Sequence, residues 1–90
     1  MPDELFEHVS EILPKIKVTL KSVYIIMPTN DTDNFIDKSE QIRTFCEELR
    51  AYIVQADPAL ARKTFYATTR AVFDENEENI PFVKLSGMGV

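Results

Sequence analysis

The sequence predicts an all-α fold: a three-helix bundle with helices over about 3–27, 33–55 and 58–74, followed by an extended C-terminal tail. Three observations predict it. Only two glycines occur, Gly87 and Gly89, so the positive-φ turns that a hairpin-rich fold needs are scarce. Apolar residues recur at helical spacing through the first third of the chain. A strongly amphipathic stretch then fills the middle. With 90 residues and 44% hydrophobic content, the chain can fold as one small domain and is too apolar to be disordered.

The first helix is expected from Asp3, a suitable N-cap with Glu4 and Glu7 in the opening turn. Leu5, Val9, Ile12, Ile16, Leu20, Val23 and Met27 follow at steps of three and four, and their phase passes through Pro14. Pro14 falls nearly opposite that stripe, so the expectation is one helix kinked toward solvent rather than two helices. The alternative is an α+β fold. Val18, Thr19, Val23, Tyr24, Ile25 and Ile26 favour extended backbone, and a short strand at 16–27 would then pair with "IPFVKL", 80–85.

"MPTNDTDN" reads as a turn, and a second helix is expected from Thr32 or Asp33 to about Gln55. Its apolar face holds Phe35, Ile42, Phe45, Cys46, Leu49, Tyr52, Ile53 and Ala56, with Glu40–Arg43 and Glu47–Arg50 spaced for ion pairs on the other side. "ADPA" breaks the chain, with Asp57 as N-cap and Pro58 opening a third helix. The acidic run at Asp74, Glu75, Glu77 and Glu78 opposes the dipole at a helix C-terminus, and Pro81 prevents continuation. The organisation expected is a helical domain, 1–79, and a tail or linker, 80–90.

Chemistry-bearing patterns are few. His8 is the only histidine; Glu4 and Glu11 lie within helical reach of it, yet no nucleophile or second imidazole accompanies them. Cys46 lies on the core face of the second helix and reads as an inert buried thiol. Asp31, Asp33 and Asp37 suggest a calcium loop, but Phe35, Ile36 and Ile42 stand where it needs oxygen, glycine and glutamate. Those aspartates read instead as caps and first-turn charges. The expectation is therefore no enzyme, no metal and no cofactor.

The net charge of −5 disfavours nucleic acid, and no apolar run is long enough to cross a membrane. One cysteine, with no apolar leader at the N-terminus, suits the cytoplasm. Charge comes in blocks: net acidic over 1–13, 28–57 and 74–90, net basic over 14–27 and 58–73. The third helix is apolar on several sides, so an edge of it should be covered by a partner or by the tail. Arg62, Tyr66, Arg70 and Phe73 are the expected contact surface, with Phe82 and Leu85 of the tail either docking outward or folding back. The expected role is an acidic intracellular protein–protein interaction module: an adaptor, an inhibitor or a complex subunit. The partner is another protein or a second copy of this chain, without nucleic acid or membrane. The alternatives are a self-associating structural domain, or a regulatory fragment of a larger enzyme suggested by the abrupt "SGMGV" ending.

Overall fold

Val23-Tyr24-Ile25-Ile26-Met27 is a short unbroken apolar run, the pattern of a strand covered on both faces. In the computed structural model, which describes residues 13–75 and 82–85, that run is a strand near the middle of a sheet. Strand β1 spans Lys15–Val18 and β2 spans Ser22–Met27. Helices α1, Thr32–Asp37, and α2, Ser39–Ala56, follow. A 3-10 helix, Pro58–Arg62, leads into β3, Thr64–Thr69. Helix α3, Arg70–Glu75, and strand β4, Val83–Lys84, complete the described elements.

The sheet has the order β1-β2-β3-β4. β1 runs antiparallel to β2, β2 parallel to β3, and β3 antiparallel to β4. The parallel pair requires a crossover, which α1 and α2 supply. In register, Val23 lies beside Phe65 and Tyr24 beside Tyr66, so the two faces are separated by strand alternation. On one face Val23, Ile25, Phe65, Ala67, Val83 and Leu85 form the core with Phe35 of α1 and Cys46 of α2. On the other, Tyr24 and Tyr66 stack at 5.5 Å, and Phe73 of α3 meets Tyr24 edge-on at 5.3 Å. β2 and β3 are thus enclosed between α2 and α3.

This is an α+β fold with a four-stranded mixed sheet, and it overturns the all-α bundle. Residues 15–27 form a hairpin, not the second half of a helix kinked at Pro14. Pro14 stands immediately before β1, where extended backbone is natural around proline. The helical spacing there was coincidental: Leu20, counted in the stripe, is 88% exposed in the turn. The proposed first-helix residues 3–12 lie outside the described residues. Residues 58–74 are also not one helix, because "TFYATT" is β-branched and aromatic and becomes β3. The strand alternative is corrected as well. β2 pairs with β3 rather than with 80–85, and Val83–Lys84 pairs with β3. Residues 82–85 are no loose tail, since Val83 and Leu85 are core. The middle helix is split: α1 stops at Asp37, and α2 runs from Ser39 to Ala56.

The shortage of glycine did not prevent a tight hairpin, because side chains do the work glycine usually does. Thr19 N donates to Ser22 O at 2.8 Å, closing the turn around Leu20 and Lys21. The Thr19 hydroxyl accepts from Ser22 N at 3.0 Å. From across the fold, Lys63 Nζ donates to Thr19 O at 2.9 Å and to Leu20 O at 2.7 Å. Two carbonyls of an exposed turn are therefore held by one cation, and such charge-assisted bonds are the strong kind.

Candidate interaction surface

The six residues expected to form a contact surface are divided by the sheet. Tyr66 and Phe73 join Tyr24 in the aromatic cluster of the α3 face, with Lys17 Nζ 5.4 Å from the Phe73 ring centroid. Phe73 is buried there and Tyr66 half-buried. Phe82 and Leu85 lie with the opposite core, where Phe82 meets Phe35 edge-on at 5.1 Å. They do not cover Tyr66 or Phe73. Arg62 and Arg70 are exposed, at the end of the 3-10 helix and the start of α3. Residues 82–85 pair with β3 and meet α1 through Phe82, rather than covering the aromatic edge.

A different surface stands out: β1 and the turn beside it. All four β1 residues are exposed, with Ile16 at 43% and Val18 at 49%, and Leu13 and Leu20 flank them with more than half of their surface open. Ile16 and Val18 share the face of Val23 and Ile25 yet lie outside the core cluster that α2 covers. β1 is an edge strand, paired on its inner side with β2 and, among the described residues, with no strand on its outer side. Its backbone phase follows from the turn. Thr19 and Ser22 form the hydrogen-bonded pair nearest the turn. Alternation along an antiparallel ladder then directs the backbone groups of Lys17 and Lys15 toward β2. Those of Ile16 and Val18 point to the open edge. Sequence reasoning kept an edge strand at 16–27 only as an alternative, because it preferred Ile16 on a helix stripe. The signal was present in "KIKV", four residues alternating charged and β-branched.

The remaining chemistry is sparse. Cys46 is fully buried, with Sγ 4.0 Å from Met27 Sδ, and loss of hydration pushes its thiol up to about 11. Asp31 caps α1, its Oδ1 accepting from Asn34 N at 3.0 Å. Among the described residues no cluster of three or more His, Cys, Asp or Glu could hold a metal ion, and His8 lies outside them. No described helix is long and apolar enough to cross a membrane. No protein-family model, curated protein or solved structure matches the chain.

Proposed function

We propose that the chain is a protein-interaction module that takes an extended segment of another protein as a fifth strand beside β1. The observation that carries this reading is the coincidence, on Ile16 and Val18, of outward backbone groups with half-exposed apolar side chains. An open edge of that kind supplies main-chain hydrogen bonds for affinity and alternate side-chain positions for specificity. The chemistry of the edge defines the partner. Lys15 and Lys21 are exposed on the strand and its turn, and Lys17 lies in the same basic block. An incoming strand alternating acidic and apolar residues would match both faces.

The same charges argue against a second copy of this chain. A two-fold antiparallel pairing of β1 with itself brings residues of the same face together, so setting Ile16 against Ile16 or against Val18 also sets lysine against lysine. The role is one of surface complementarity without catalysis, as adaptor, inhibitor or subunit. A reducing setting such as the cytoplasm suits its free, buried cysteine.

A synthetic peptide of alternating Glu and Val, titrated into the isotope-labelled chain, tests this. Saturable amide shifts at Ile16 and Val18 are expected, and Ile16→Pro should abolish them. That substitution removes one outward donor and leaves the bonds to β2 in place. Saturable shifts centred on Tyr66 and Phe73 instead would overturn the β1 reading, as would a sedimentation profile showing β1-dependent dimers.

A further inference from the structure

The opposite edge of the sheet carries a different feature. Where the 3-10 helix meets the start of β3 and the end of β4, a cleft of about 360 Å³ opens. Its polar walls are Arg50, Lys63, Thr64 and Lys84, and Phe65 and Leu85 form its apolar side. Among the described residues no carboxylate lines it. Three cations thus converge in a chain whose net charge is −5.

Arg50 is the informative member. It projects from α2 and is only 6% exposed, with its guanidinium carbon 4.8 Å from the Phe65 ring centroid. The ring stabilises the cation at the wall of the cleft. Lys63 lines the cleft, and its Nζ donates to the Thr19 and Leu20 carbonyls, which leaves one of its three N–H donors. Lys84 is exposed at the rim. Lys84 and Leu85 reach this position because β4 runs antiparallel to β3, and Leu85 N bonds to Phe65 O at 2.9 Å.

We propose that this cleft binds a phosphoryl group, with Arg50 as the forked donor and Lys63 and Lys84 as point charges around it. A planar guanidinium matches two oxygens of a tetrahedral oxyanion, and lysines add charge without demanding one geometry. The cleft is larger than a phosphate ion, so the ligand class is a small phosphomonoester whose organic part rests toward Phe65 and Leu85. Lys63 links this cleft to the β1–β2 turn, but the phosphoryl ligand does not require a strand docked beside β1.

The test uses the full chain at constant ionic strength, titrated separately with inorganic phosphate, glycerol phosphate and acetate, and followed by amide shifts. The expected result is saturable change at Lys63, Thr64, Phe65 and Lys84 with both phosphates, glycerol phosphate binding at least as tightly, and little change with acetate. Lys84→Gln, at an exposed position, should weaken binding about tenfold or more, the effect of losing one charge-assisted contact. Arg50→Lys should weaken it further by removing the fork. Shifts that fail to saturate, or that Lys84→Gln leaves unchanged, would overturn the proposal in favour of general ion screening. Should Arg50→Lys unfold the chain, Lys84→Gln alone decides.

Discussion

Thr68 and Thr69 are neighbours in β3, both fully buried, and their hydroxyls have opposite circumstances. Thr69 Oγ1 accepts from Val72 N at 3.1 Å and so caps the first turn of α3. Thr68 Oγ1 is buried with no hydrogen-bond partner among the described residues. Valine at each position should therefore act in opposite directions. Thr69→Val should cost about 1 kcal/mol through the lost cap. Thr68→Val should gain up to about 1 kcal/mol, because it removes an unsatisfied polar atom and keeps the β-branched shape. Urea melts of the two variants check the signs. Cys46 gives a pH prediction. Its thiol ionises near 9.0 when unfolded and near 11 when folded, so the folded state favours the neutral form. Stability from this group is complete below about 9 and declines as pH rises toward 11. Cys46→Ala should flatten that decline, whatever it does to stability at neutral pH. In the native chain, thiol reagents at neutral pH should react far more slowly than in denaturant.

At the scale of elements, the β1–β2 hairpin depends on a residue more than 40 positions away. Lys63 holds two carbonyls of the turn, and Thr64 N bonds to Lys21 O at 3.1 Å. Lys63→Met should loosen the turn, costing about 1–3 kcal/mol by loss of charge-assisted bonds. Amide hydrogen exchange should rise at Thr19 and along β1 while the centre of β2 stays protected. Equal loss of protection throughout the sheet would mean that the turn is not a separate unit. The helices divide their roles differently. α2 is long and amphipathic and covers the core face. α3 is short and is held to the sheet by its cap and by Phe73 on Tyr24.

Across the whole molecule, the core depends on contacts between segments far apart in sequence. Phe65 is 1% exposed and joins β3 to α2 through Arg50 and the core cluster. Phe65→Ala should cost about 3–5 kcal/mol, enough to threaten a domain of this size. Thermal unfolding with far-UV circular dichroism would show the loss, with sheet and helix signals collapsing together if the fold is cooperative. The parallel β2–β3 pair must also form across the whole helical crossover. Folding is accordingly expected in milliseconds to seconds rather than at the microsecond rates of small helical bundles. Stopped-flow refolding distinguishes these, and a microsecond phase carrying all the amplitude would contradict the mixed topology.

Sequence alone determined a helix in the middle of the chain, the turn at "MPTNDTDN", the break at Asp57-Pro58 and the buried position of Cys46. Each rests on local chemistry: apolar period, capping side chains, proline geometry. But the sequence reading set Phe45 and Tyr52 on the apolar face and Arg50 on the other, whereas both aromatics are exposed and Arg50 is buried. The sequence also carried the strand signature of residues 16–27, given only as the alternative and with 80–85 as the wrong partner. Spacing could not choose there, because steps of three and four through Leu20 satisfied a helix as well as chance would. Tertiary structure decided that choice. β2 becomes a strand because β1 and β3 take up its backbone groups on either side while α2 and α3 cover its two faces, and no local window contains those partners. The contact surface was decided in the same way. Tyr66 and Phe73 are drawn into packing by Tyr24, whereas the open edge of β1 and the cations around Arg50 exist only once the strands are in register.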